Sequence, residues 1–312
     1  MKILVTGGCG YIGTALIPKL LDQGHKVLSI DNQLFGNFLL KHKNLENIKM
    51  NIGDIKETNI KNIDIVIHLA SISNDPSALI NSKITWETNV LYTLQLLNLC
   101  KEKRIKKFIF ASSGSVYGVS KKRKVDENSN LVPISDYNKT KMIGEKLVQG
   151  YKNFFDTIIL RPGTVCGFSK SLRLDLTVNA MTYTALKNKM INVNGGNQVR
   201  PHVHMEDMVN AYLFFLNKKK ISGIYNVGFE NHSIMKIAKM IKKRLPYVSV
   251  KKNKSIDPRS YRLYSKKILK AGFKPIKSIE IAIDEFIENY RLKKISYDSK
   301  SFRASYLKKT IS

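Results

Sequence analysis

The feature that most restricts what this chain can fold into is residues 2–31, KILVTGGCGYIGTALIPKLLDQGHKVLSID. Ile3-Leu4-Val5 is a short apolar run of the kind that forms a buried parallel strand. It breaks at Thr6 into Gly7-Gly8-Cys9-Gly10-Tyr11-Ile12-Gly13, after which Ala15, Leu16, Ile17, Leu20 and Leu21 recur at helical spacing as far as Gly24. A second apolar strand, Val27 to Ile30, closes on Asp31. In such a βαβ unit Gly8 permits the tight turn, Gly10 lets backbone N–H groups approach a diphosphate, and Gly13 lets the helix sit close on the sheet. The helix N-terminus then offers its free N–H groups and positive dipole end to the anion. Asp31 lies 18 residues past Gly13, near the ~20 at which a carboxylate takes the hydroxyls of an adenosine ribose and repels a 2′-phosphate. The unit predicts an NAD site formed by Gly7, Gly8, Gly10, Tyr11, Ile12, Gly13, Asp31 and the adjoining Asn32.

The rest of the chain extends the alternation. Ile48 to Asn51 reads as a third strand leading to Asp54-Ile55, placed to meet the adenine, with a helix cap as the plainer role for Asp54. Ile63 to Leu69 is a fourth strand running into Leu69-Ala70-Ser71 and the polar turn Ser73-Asn74-Asp75-Pro76-Ser77, a candidate substrate loop. A helix is expected over 84–103, with Asn89 turned inward. Phe108 to Ala111 is a fifth strand opening on Ser112-Ser113-Gly114-Ser115-Val116-Tyr117, and Thr157 to Leu160 a sixth. Strands alternating with helices mean a doubly wound parallel α/β sheet. The alternation loosens beyond residue 167, so the expected division is 1–166 for the dinucleotide domain, with 200–230 returning to it. Residues 167–312 then form mainly a smaller α+β substrate lobe ending in a basic tail, 293–312.

Composition narrows the function classes. The net charge is +29, yet the lysines are spread along the chain with no nucleic-acid-binding motif, and the densest run, 121–124, reads as a solvated loop. No nucleic-acid partner is expected, although the field favours phosphorylated substrates. No apolar run reaches the ~18–20 residues of a membrane span and no signal segment is evident, so the expectation is a cytoplasmic protein without membrane contact. Cys9, Cys100 and Cys166 are widely separated, which predicts packing roles and no metal site.

The chemistry centres on Tyr137 and Lys141. At i and i+4 of a helix they share a face. An ammonium ~5 Å from the phenol, at an effective dielectric of ~20, favours the phenolate by ~3 kcal/mol and lowers its pKa by roughly two units. Tyr137 thereby becomes a general base near neutral pH.

Taken in order, the Gly8/Gly10/Gly13 turn, Asp31, His68-Leu69-Ala70, Asn89, Ser113 before Tyr117, Tyr137 with Lys141, Arg161-Pro162-Gly163, Arg200 through His204 to Asp207 and Asp257-Pro258-Arg259-Ser260-Tyr261 resemble the extended short-chain dehydrogenases/reductases. This group contains NAD-dependent sugar-nucleotide epimerases, dehydratases and reductases on a Rossmann fold. The resemblance implies catalytic roles for Ser113, Tyr137 and Lys141, with Ser113 on the sugar hydroxyl and Lys141 on the nicotinamide ribose. It implies cofactor contacts extending to Asp54, Ile55, Leu69, Ala70, Ser71 and Asn89. Substrate contacts would fall on Ser113, Gly114 and Ser115, with the nucleotide diphosphate on Asn179, Arg200 and Arg259; Ser73 and Asn74 are expected at the substrate from the polar turn itself, which differs from the classical 4-epimerase loop. His202 and His204 read as packed residues.

What the 113–117 loop lacks selects among members. The 4,6-dehydratases of this group carry an Asp-Glu pair before the tyrosine, where this chain has Ser115-Val116, and 3,5-epimerising relatives carry a cysteine there. The loop is similar to that of 4-epimerases acting on UDP-sugars, and 172–179 resembles enzymes that oxidise or epimerise hexose or heptose nucleotides for surface polysaccharides. Oxidation at C4 followed by return of hydride to the other face gives epimerisation, and release of the ketone gives a dehydrogenase. A non-catalytic NAD sensor or scaffold is the third alternative. The resemblance also implies a homodimer through helices 84–103 and 137–153.

Overall fold

The computed structural model describes residues 1–119, 124–254 and 260–310. Arg259, the preceding Asp257-Pro258 and most of the basic run at 121–124 lie outside the described residues. Six strands, β1 (Lys2–Thr6), β2 (Lys26–Asp31), β3 (Leu45–Lys49), β4 (Ile65–His68), β5 (Lys107–Ala111) and β6 (Asp156–Pro162), join strand Gly223–Val227 in one seven-stranded sheet. Its order is 223–227, β6, β5, β4, β1, β2, β3, and every pair is parallel.

Both faces are covered, as the uninterrupted apolar strands require. On β5, Phe108 and Phe110 enter a core with Leu96, Leu97, Cys100 and Val148, while Ile109 and Ala111 enter one with Leu16, Ile17, Met208 and Phe215. The period-two alternation of the strand thus packs helices Tyr92–Glu102 and Asp136–Gly150 on one side, and Gly13–Asp22 and Met205–Asn217 on the other. The chain runs outward from β1 through β2 and β3, then restarts at β4 on β1's other side. The crevice above the carboxyl ends of β1 and β4 is where such sheets bind ligands.

The expected continuous helix over 84–103 is instead three pieces: Ser82–Trp86, a π-helical turn Glu87–Leu91, and Tyr92–Glu102. Such turns widen the helix by one residue and recur near functional sites. The third strand lies at 45–49, earlier than the expected 48–51. Beyond β6 a three-stranded sheet (Thr164–Cys166, Val199–His204, Glu230–Ser233) and a parallel pair (Met190–Asn194, Ser249–Asn253) pack with helices Thr177–Asn188, Ile234–Arg244 and Ile279–Arg291. The C-terminal tail is an ordered arm ending in helix Arg303–Thr310, whose Leu307 is buried.

Candidate active site

A cavity of about 570 Å³ lies over the carboxyl ends of the central strands. At one end its wall is the turn after β1, where Gly7, Gly10, Tyr11, Ile12 and Gly13 all line it. The glycine roles are redistributed relative to the sequence reading. Gly7, at φ +72°, takes the left-handed conformation of the tight turn, and a Cβ there would meet the Ala70 backbone N at 2.6 Å. Gly8 sits off the wall, and a Cβ there would strike the Ser29 hydroxyl. At Gly13 a Cβ would lie 2.5 Å from the Gly8 carbonyl oxygen, so its close approach is to the turn itself.

Asp31 ends β2 on the same wall beside Asn32. Its Oδ2 accepts the Cys9 N–H at 3.0 Å and its Oδ1 the Gln33 N–H at 2.6 Å, which orients the carboxylate. Burial raises its pKa, with these two bonds and the nearby Arg303 charge drawing it back. Leu69, Ala70 and Ser71, after β4, form the adjoining wall.

Asp54, Ile55 and Asn89, expected at the cofactor, do not line the cavity. Asp54 is exposed and Ile55 is packed in the core, and the wall at that point is Asn51 and Ile52. Asn89 is off the wall. Its Oδ1 accepts the Ile72 N–H at 2.8 Å, and its Nδ2 donates to the Ile72 carbonyl at 3.1 Å and Thr140 Oγ1 at 3.0 Å. It braces the loop after β4 against helix 136–150. His68 is held between Thr6 Oγ1 and Thr93 Oγ1 in the sheet, and burial pushes its pKa down to about 3, so it is neutral.

The other end of the cavity gathers Ser113, Ser115, Tyr137 and Lys141. Ser135 caps helix 136–150 through the Asn138 N–H, which starts the helix where Tyr137 and Lys141 point to one side. Asn138 Nδ2 donates to Asp75 Oδ1 at 3.1 Å and to Ser115 Oγ at 2.9 Å, and the Ser115 and Ser113 hydroxyls bond each other at 2.8 Å. Of these residues, Asp75 was expected only as part of the candidate substrate loop, and Asn138 had no site role from sequence. The only sequence signal for them was their place in a polar turn and beside Tyr137.

Burial reverses the expected protonation balance. The Tyr137 pKa is raised by desolvation, which outweighs the lowering by a Ser113 hydrogen bond and the Arg173 charge. Lys141 is itself pushed down to about 7, because its ammonium is taken out of water against the Phe110 ring and the Ala111 carbonyl, 2.8 Å away. The two-unit lowering by a fully charged neighbour therefore does not operate between these two buried groups. Beneath it, Arg161 makes a buried bidentate pair with Glu145 at 2.8 and 2.6 Å and donates to Tyr117 Oη at 2.8 Å, anchoring helix 136–150 to β6.

Ser73, Asn74, Arg200 and Tyr261 line the cavity, joined by Arg173. Asn74 has φ +78°, a strained conformation for a residue with a side chain. Its amide holds that conformation by donating to Asp175 Oδ2 at 2.9 Å, and Asp175 pairs bidentately with Arg173. Gly114 is off the wall, and a Cβ there would meet the Pro162 carbonyl oxygen at 2.9 Å. Asn179, expected on the nucleotide, is saturated inside the protein: it donates to Tyr11 Oη, Gly167 O and Arg173 O and accepts the Gly167 N–H. His204 caps helix 205–217 and bonds Glu285 at 3.0 Å.

The model of the NAD dependent epimerase/dehydratase family matches residues 3–228. The chain belongs to this family. It is therefore an NAD-dependent enzyme, not the sensor or scaffold left open by sequence. A Bacillus subtilis protein described as an uncharacterized UDP-glucose epimerase is 36% identical over 260 residues, 77% of this chain and 81% of its own length. A provisionally named UDP-glucose 4-epimerase of Methanocaldococcus jannaschii is 31% identical over 285 residues, 88% and 93% of the two chains. Among solved structures, a Bacillus cereus UDP-glucuronic acid 4-epimerase in complex with UDP-glucuronic acid and NAD superposes with a TM-score of 0.83 at 30% identity, covering 94% of this chain and all of that one. Among the described residues no helix is long and apolar enough to cross a membrane, and no cluster of side chains could hold a metal.

Proposed function

We propose that the enzyme epimerises a nucleotide-diphosphate sugar at C4, in the supply of sugars for surface polysaccharides. The carrying observation is that Ser113, Tyr137 and Lys141 line the same cavity as the glycine turn and Asp31. Bound NAD supplies a reversible hydride acceptor there. Asp31 holds the adenosine ribose and the start of helix 13–22 the diphosphate. Lys141 holds the nicotinamide ribose. Ser113, fixed through Ser115, Asn138 and Asp75, donates to the sugar oxygen, and Tyr137 takes the C4 hydroxyl proton and later returns it.

Burial favours the neutral phenol of Tyr137, and the positive charge of oxidised NAD, when bound, would add to that of Arg173 in favouring its deprotonation. The loop argues against dehydration: Val116, directly before Tyr117, is fully buried, and the wall carboxylate Asp75 is tied to Ser135 and Asn138. The nucleotide end of the substrate is assigned to Arg200, with Arg259 outside the described residues. The implied homodimer would pair the helices around 92–102 and 136–150, beside which Leu91 is 56% exposed.

The test is Tyr137→Phe against a panel of UDP-, GDP-, CDP- and dTDP-sugars. Loss of at least ~10³-fold in kcat with NAD binding retained is expected from removal of the acid–base group. Unchanged turnover would overturn the role of Tyr137, and stoichiometric NADH release by the wild type would make the enzyme a dehydrogenase.

A further inference from the structure

The cavity wall contains a cation contributed by the C-terminal arm. Arg303 opens the last helix, yet it is 4% exposed and lines the cavity together with Asp31, Phe35 and the glycine turn. Its Nη1 donates to Lys300 O at 2.7 Å, and its Nη2 to Ser171 Oγ at 2.8 Å and Ser171 O at 3.1 Å. The guanidinium lies 4.0 Å from the centre of the Phe35 ring. All these partners are neutral. Among the described residues Arg173 repels it through space, and Asp175, Asp298 and Asp31 attract it without closing an ion pair. A buried cation with neutral partners is costly unless an anion arrives.

The surroundings say where that anion sits. Residues 169–171 are stapled to the first turn of helix 13–22, through Ser169 Oγ to Thr14 Oγ1 and to Tyr11 O, both at 2.7 Å, and Ser171 N to Thr14 Oγ1 at 3.4 Å. Arg303 grips Ser171. Its charge is thus held between Asp31, the ribose end of the site, and the helix start that receives a diphosphate. The arm is fixed at further points: Tyr306 packs on Phe35 at 5.8 Å, and the last helix lies against the Asp75–Ala78 turn. It therefore crosses from the ribose loop to the sugar loop.

We propose that Arg303 is a ligand of the dinucleotide's diphosphate and that the arm carrying it, residues 299–310, is a strap that retains the cofactor between the two hydride transfers. Lys300 and Ser171 take three of the five guanidinium donors, which leaves Nε–H and one Nη1–H to reach phosphate oxygens while the plane stays fixed, a geometry a lysine does not offer. The inference rests on NAD as cofactor and is independent of which sugar reacts.

The experiment is calorimetric titration of cofactor-stripped wild type, Arg303→Ala and Arg303→Lys with NAD, ADP and adenosine, with melting curves alongside. Arg303→Ala is expected to weaken NAD and ADP by about 10–100-fold, the worth of charge-assisted hydrogen bonds, to leave adenosine within about threefold, and to speed NAD dissociation. Arg303→Lys is expected in between. Equal losses for ADP and adenosine would make Arg303 a packing residue and overturn the proposal. So would NADP binding by the wild type that Arg303→Ala abolishes, since the charge would then face the ribose 2′ position. Should Arg303→Ala not fold, trypsin digestion of the wild type decides: ADP protects the sites at Lys300, Lys308 and Lys309 if the strap closes on diphosphate, and unchanged cleavage refutes it. Wild-type titration with NAD establishes the cofactor independently of either result.

Discussion

Replacing Lys141 by methionine converts the buried ammonium into a measurable pH effect on stability. Lys141 is 3% exposed, and desolvation lowers its pKa from 10.5 to about 7. Between these values the unfolded chain holds a proton that the folded chain has released, so stability rises with pH across that window. Below about 7 both states are protonated and the destabilisation is complete; above about 10.5 it has gone. Integrated from pH 6 to pH 9, the wild type recovers roughly 3 kcal/mol through this group. For a chain of 312 residues that corresponds to about 4 °C in Tm. Methionine keeps most of the volume and carries no charge, and the other titrating groups cancel in the difference between the two proteins. Urea unfolding of NAD-free wild type and Lys141→Met at pH 6, 7, 8 and 9 is the assay. The variant's stability relative to wild type is expected to fall by roughly 3 kcal/mol from the lowest pH to the highest. A constant difference, within about 0.5 kcal/mol, would mean that the ammonium keeps its hydration in the folded protein, and the account of the site's protonation would fail.

Gly13→Ala places a Cβ 2.5 Å from the Gly8 carbonyl oxygen, so the turn must shift; a loss of about 1–3 kcal/mol is expected, with weaker NAD binding by titration. Gly150→Ala, where nothing lies within 4 Å, is the control and should gain up to about 1 kcal/mol in the same melts. Arg161→Met strands the buried Glu145 carboxylate, which accepts both bonds of the pair. A cost of about 3–5 kcal/mol is expected, partly recovered in the double variant with Glu145→Leu. Additive losses in that cycle would show that the two residues do not act as a pair.

The sequence by itself determined the βαβ unit, the strands and which of their residues face which layer, because these follow from spacing between neighbours along the chain. Phe108 and Phe110 alternate with Ile109 and Ala111 wherever β5 is placed, and Tyr137 shares a face with Lys141 in any helix. The spacing of Gly13 and Asp31 likewise needs only a strand, a turn and a helix of ordinary length.

Tertiary structure decided how those groups are solvated and what competes for their hydrogen bonds. Asn179 and Asn89 carry the right amides, but the backbone groups and hydroxyls packed against them already take their hydrogen bonds. Tyr137 and Lys141 have the expected geometry, yet water is excluded from both, and desolvation outweighs their mutual charge effect. Arg173, Asp75 and Arg303 reach the cavity from segments remote in the chain, with no periodicity to mark them. Distance along the chain sets local conformation, whereas dielectric and hydrogen-bond competition depend on what is brought alongside, and only the folded arrangement contains that information.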